Sequence, residues 1–122
     1  MRKKILLVDD SSTILMMEKM MLNIGVYDLI TARNGIEAVS KATAEQPDLI
    51  LMDVNMPQMD GFEALKCLRN QSVTQNTPVI MVTTRGEAAN IQTGFDNGCN
   101  DYLTKPIDNL ELLTKVKSYL GV

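Results

Sequence analysis

Five short apolar runs punctuate the chain, at residues 4–8, 28–32, 49–52, 79–82 and 101–104, each bounded by charged or turn-forming residues. Runs of four or five residues are too short for helices and predict β-strands. The first, third and fourth are continuously apolar, the pattern of strands covered on both faces in a parallel sheet. The second and fifth are more mixed and read as edge strands. Between the runs lie segments long enough for the helical crossovers that parallel neighbours require. Their apolar positions recur at helical spacing: Ile14, Met17 and Met21; Ile36, Val39 and Ala42; Phe62, Leu65 and Leu68; Leu113, Val116 and Leu120. Asn34 with Glu37, and Asp108 with Glu111, have capping-box spacing. Gly98 and Gly121 fall where helix ends are expected, and the prolines lie near strand boundaries. The pattern predicts five βα units, a three-layer α/β sandwich with right-handed crossovers.

Composition narrows the picture. At 122 residues, with 45% hydrophobic and 22% charged positions, the chain has the size and core content of one domain. No linker, repeat or low-complexity stretch interrupts it, so residues 1–122 are expected to form a single unit. Gly121-Val122 stands one step past the last helix, which leaves no further output domain in expectation. Twelve basic against fifteen acidic residues give a net charge of -3, the wrong sign for direct nucleic-acid binding. Histidine is absent, which excludes His-based triads, His-ligated metals and any phosphohistidine on this chain. Cys67 and Cys99 have no metal spacing and read as reduced thiols. The run Ile5-Leu6-Leu7-Val8 is stopped by Asp9-Asp10, too short for a signal peptide or a membrane span, and a cytoplasmic location is expected.

Ligands of an open parallel sheet gather beyond the carboxyl ends of its strands. The residues there are Asp9-Asp10 after the first run, Asp53 after the third, Thr83 after the fourth and Lys105 after the fifth. Three crowded carboxylates repel one another unless a cation neutralises them, and an all-oxygen set suits Mg²⁺. With Mg²⁺ and one ammonium the charges sum to zero, and the site can accept a phosphoryl group held by the metal, Lys105 and the Thr83 hydroxyl. Each residue alone has a plainer reading. Asp9-Asp10 can cap a helix, Asp53 can end a strand, Asp60-Gly61 is a turn signal, and Lys105 can be a solvated lysine. Thr83 alone is a strand-end hydroxyl, and Tyr102 a partly packed edge aromatic. Met16, Met17, Met20 and Met21 crowd one helix too densely for a single buried stripe, so some fill core and others offer an adaptable docking surface.

The segments Leu7-Val8-Asp9-Asp10, Leu51-Met52-Asp53-Val54-Asn55-Met56-Pro57-Gln58-Met59-Asp60-Gly61, Val79-Ile80-Met81-Val82-Thr83 and Tyr102-Leu103-Thr104-Lys105-Pro106 together resemble the receiver domain of two-component response regulators, nearest its stand-alone, chemotaxis-like type. The resemblance implies a flavodoxin-like (CheY-like) fold with a five-stranded parallel sheet of order 2-1-3-4-5. It implies that Asp53 takes phosphoryl from the phosphohistidine of a sensor histidine kinase, giving an acyl phosphate. Asp10, Asp53 and the backbone carbonyl of Asn55 would ligate Mg²⁺, with Asp9 acting mainly through a coordinated water. Lys105 would pair with phosphoryl oxygens, followed by a cis bond to Pro106.

On the same resemblance Thr83 would swing toward the phosphoryl group and Tyr102 would change rotamer. That would alter the surface of the last two βα units, which a downstream protein reads. The domain would hydrolyse its own phosphoryl group and is not otherwise an enzyme. It would work as a monomer or as a dimer formed on phosphorylation. Thr84 and Arg85 depart from the chemotaxis pattern beside the site, and Arg85 is expected to alter the lifetime of the phosphorylated form. Two other classes stay open on the residues. A haloacid-dehalogenase-like phosphatase would want an Asp where Asn55 stands. A flavodoxin-type FMN binder would want a glycine- and hydroxyl-rich loop where Asp9-Asp10 stands.

Overall fold

The computed structural model describes residues 2–84 and 88–122. Strands and helices alternate along it as β1 (Lys3–Val8), α1 (Ser12–Leu22), β2 (Tyr27–Ala32), α2 (Gly35–Glu45), β3 (Leu49–Asp53), α3 (Gly61–Arg69), β4 (Val79–Thr84), α4 (Ala88–Asp96), β5 (Asp101–Lys105) and α5 (Asn109–Leu120). The strands form one parallel sheet in the order β2-β1-β3-β4-β5. This is the architecture expected from the sequence, with the two mixed runs at the edges. Each strand lies within two residues of its predicted run.

Alternation along the central strands divides the core into two layers. Leu6, Val8, Ile50, Met52, Val79 and Met81 face α2 and α3, where Ala38, Ala42, Ala64, Leu65 and Leu68 meet them. Ile5, Leu7, Leu49, Leu51, Ile80 and Val82 face α1 and α5, meeting Leu15, Leu22, Leu112 and Val116. Full burial of one such side chain contributes about 1.5–3 kcal/mol. Among the described residues no helix is long and apolar enough to cross a membrane.

The helices depart from expectation in three places. The buried face of α1 is Leu15, Glu18 and Leu22, not the stripe through Ile14, Met17 and Met21. Met16, Met17 and Met20 are exposed. Apolar residues surround this helix almost completely, so periodicity alone does not choose its inner face. Ile36 is likewise exposed, with Gly35, Ala38 and Ala42 turned inward on α2. Asp60, read as part of a turn, is the N-cap of α3. Its carboxylate accepts from the Glu63 amide at 2.9 Å, and Glu63 accepts from the Asp60 amide at 3.2 Å, a complete capping box. Asn34 and Asp108 accept from the amides of Glu37 and Glu111 as their spacing predicts. Gly98 and Gly121 have positive φ of 99° and 77°.

Candidate functional site

The site is assembled where β1, β3 and β5 end. Asp9 follows β1 and is fixed at both ends. Its amide donates to the Ala32 carbonyl at 3.2 Å, and its Oδ1 accepts from the Ser11 amide at 2.9 Å. Ser11, not an aspartate, caps α1 by accepting from the Ile14 amide at 3.3 Å. The acidic pair is therefore not used up as a cap. Asp53 is the last residue of β3, and the next amide, Val54, continues the ladder to the Val82 carbonyl. Gly61 lets α3 begin directly against this strand end, since a Cβ there would run into the carbonyl of Asp53.

These constraints bring four predicted residues together. One oxygen from each of Asp9, Asp10 and Asp53 lies within 4.8 Å of the others. Lys105 Nζ lies 3.1 Å from Asp53 Oδ1 and 3.3 Å from Asp9 Oδ2. Asp9 and Asp53 are buried at 1% and 4% exposure, whereas Asp10 is exposed, so the cluster opens to solvent on one side. Asn55 lies exposed two residues beyond Asp53. Thr83 is buried near the end of β4, paired in register with Thr104, and Thr84 is exposed. Tyr102 stands apart on β5, half-buried between α4 and α5. Arg85 lies outside the described residues. The Lys105–Pro106 peptide is cis.

The electrostatics are those of crowded carboxylates beside a single ammonium. Burial and the neighbouring charge of Asp9 push Asp53 up to about 6, with Lys105 offsetting part of the rise. Burial opposes the charge on Lys105, but its contacts with Asp53 and Asp9 prevail and lift it above the ordinary lysine value. Two buried oxygens, Thr83 Oγ1 and Glu18 Oε1, receive no hydrogen bond from any described residue, and Asp9 Oδ2 has only its 3.3 Å ion pair with Lys105. Buried polar atoms are rarely left so. Orphaned oxygens beside gathered carboxylates are the arrangement expected of a cation site.

Glu18 is the residue that periodicity missed. It points inward from α1 at 1% exposure, and burial followed by the charge of Asp9 raises it to about 8. It shares a small cleft with Lys105, walled by Ile14, Met17, Met21, Pro106 and Ile107. Its signal in the sequence is a lone acid at the middle of the i, i+3, i+7 series Leu15, Glu18, Leu22.

The chain matches the family described as Response regulator receiver domain over residues 5–117. It is 42% identical to the alkaline phosphatase synthesis transcriptional regulatory protein PhoP of Bacillus subtilis, over 98% of this chain and 49% of that protein. It is 38% identical to protein PilH of Pseudomonas aeruginosa, over 97% of this chain and 98% of PilH. The chain spans about half the length of PhoP and of several other curated relatives. Among solved structures, the receiver domain of the sensor histidine kinase PA1611 from Pseudomonas aeruginosa superposes with a TM-score of 0.91 at 30% identity, covering 100% of both chains, and holds a magnesium ion coordinated in its active site cleft. Strand order, clustered acids and sequence matches agree, and this protein belongs to the receiver domains of the response regulators, the signalling domains of two-component systems.

Proposed function

We propose that Asp53 is the phosphoacceptor of this receiver domain, and that its phosphorylation re-forms the face made by α4, β5 and α5 for a partner protein to read. The observation that carries this reading is Lys105 Nζ held 3.1 Å from one oxygen of Asp53, with Asp9 and Asp10 beside it. A sensor histidine kinase is the donor in this reading, since the chain belongs to the response regulator receiver domains and has no histidine on which a phosphohistidine could form. In the transfer an Asp53 oxygen forms a bond to phosphorus as the donor's P–N bond breaks, and the electron pair leaves on the imidazole nitrogen. Hydrolysis returns the carboxylate and inorganic phosphate when water attacks the same phosphorus.

Asp10, Asp53 and the main-chain carbonyl of Asn55 would hold Mg²⁺ directly, with Asp9 acting through a coordinated water. The oxygen-only donor set, with Asp9 Oδ2 held by nothing but its ion pair with Lys105, fits that ion. Bound there, Mg²⁺ supplies neutralisation of the carboxylates and of charge on the phosphoryl oxygens. Lys105 pairs with a phosphoryl oxygen, and the unpartnered Thr83 hydroxyl donates to another. Tyr102 follows Thr83 by changing rotamer. The acidic balance of the chain supports a reading without direct DNA contact, and a cytoplasmic location belongs to the same reading.

Amide NMR with Mg²⁺ and beryllofluoride, a phosphoryl mimic, tests this. Shifts should appear around Asp53, Thr83, Tyr102 and Lys105 and be absent in Asp53→Asn. Identical spectra with and without the mimic would sink the reading.

A further inference from the structure

Three side chains from three elements meet at Tyr102. The rings of Phe95 of α4 and Tyr102 form a T-shaped pair, with centroids 6.0 Å apart and planes at 88°. Lys115 of α5 places Nζ 5.0 Å from the ring centroid. That ammonium is itself anchored by β5, donating at 2.8 Å to Asp101 Oδ1 and at 2.8 Å to the carbonyl of Tyr102. Asp101 Oδ1 also accepts from the Tyr102 amide at 2.8 Å. One turn further along α5, Tyr119 donates to the Asn100 carbonyl at 2.9 Å. The strand that carries Tyr102 therefore also fixes the cation over its ring. Thr83, the other half of the proposed switch, has no hydrogen-bond partner for its buried hydroxyl among the described residues. The two halves are restrained very differently.

We propose that Lys115 is a positioning residue that holds Tyr102 in this rotamer, forming with Phe95 a clamp that opposes switching. The proposal rests on the phosphoacceptor reading of Asp53 and assigns what sets its resting balance. Rotation of Tyr102 about its Cα–Cβ bond carries the ring away from both the cation and the Phe95 ring. A cation over an aromatic face at a partly exposed site shifts such an equilibrium by about two- to fivefold. A ligand that selects the released state loses affinity by that factor while the clamp is intact. The contacts of Lys115 with Asp101 and with the Tyr102 carbonyl have no such consequence by themselves, because neither uses the Tyr102 ring.

The test measures beryllofluoride affinity with Mg²⁺ by NMR titration in wild type, Lys115→Met, Lys115→Arg and Tyr102→Ala, and in the Lys115→Met/Tyr102→Ala double variant. Lys115→Met should bind about two- to fivefold more tightly and move the Tyr102 ring resonances before any mimic is added. Lys115→Arg keeps a cation over the ring and should match wild type. In the Tyr102→Ala background the Lys115→Met substitution should change nothing. Wild-type affinity in Lys115→Met overturns the clamp, as does an effect that persists without Tyr102. If wild type and Asp53→Asn both ignore the mimic, the phosphoacceptor reading falls and takes the clamp with it. A responsive wild type with an unresponsive Lys115 confines the failure to the clamp.

Discussion

Charge is handled in opposite ways at the two ends of the sheet. At the amino end of β4 and β5, Arg69 reaches from the end of α3 and is fully engaged. Its Nε donates to the Gly98 carbonyl at 3.0 Å, Nη1 to the Thr74 carbonyl at 3.1 Å and Nη2 to Asn100 Oδ1 at 3.0 Å. Asn100 Oδ1 also accepts from the Val79 amide, and the Thr74 hydroxyl donates to the Leu68 carbonyl. At the carboxyl end, Asp9 and Asp53 share one lysine beside Asp10, and among the described residues no hydrogen bond reaches the buried oxygens Thr83 Oγ1 and Glu18 Oε1. A satisfied polar network is spent on stability. An unsatisfied one is maintained against stability and is where a ligand can be gained.

Four measurements sharpen or break that contrast. The largest expected effect is on chemistry: Asp53→Asn should lose phosphoryl acceptance completely, scored by labelling from a small acyl-phosphate donor. Its urea midpoint should not fall, since the variant removes one buried charge from a repulsive set. Arg69→Ala should do the reverse. It removes three hydrogen bonds at roughly 1 kcal/mol each, costing about 3 kcal/mol in urea unfolding, while beryllofluoride binding is retained.

Mg²⁺ at a hundredfold excess over its Kd should raise unfolding free energy by about 2.7 kcal/mol. Asp10→Asn should abolish that increment while leaving the metal-free protein no less stable. Thermal unfolding with and without Mg²⁺ decides it, and an undiminished increment in the variant would remove Asp10 from the metal site.

Glu18 gives the smallest effect and a pH signature. Its carboxyl titrates near 4.5 when unperturbed and at about 8 in the fold. Between those values the folded state keeps a proton that the unfolded state has released. Stability should therefore fall as pH rises through that window and level off above it. Without metal, Glu18→Gln should flatten this slope, and Glu18→Leu should stabilise by about 1–3 kcal/mol at neutral pH, because burying an unpartnered polar group costs about that much. An unchanged slope in Glu18→Gln would assign the titration to Asp53, which the fold raises to about 6.

The strands, their edge or central position and the order of the elements were legible along the chain, because burial on one or two faces is written directly into local hydrophobic runs. The carboxylates and Lys105 were legible for a related reason. Each ends a recognisable strand, and parallel strands deliver their carboxyl ends to one edge. Caps at Asn34 and Asp108 depend on three or four neighbouring residues and were equally visible.

Tertiary packing decided the rest. The inner face of α1 was hidden because its apolar residues run almost all the way round, and the way the helix seats on the sheet chose Leu15, Glu18 and Leu22. The Arg69 network and the Phe95–Tyr102–Lys115 clamp join residues from separate elements, so no local pattern encodes them. By itself the sequence determined which segments become strands and which acids stand at their ends. How far each carboxyl is stripped of water, and which cation or ring it meets, was settled by packing, because desolvation and charge depend on every atom nearby rather than on neighbours along the chain.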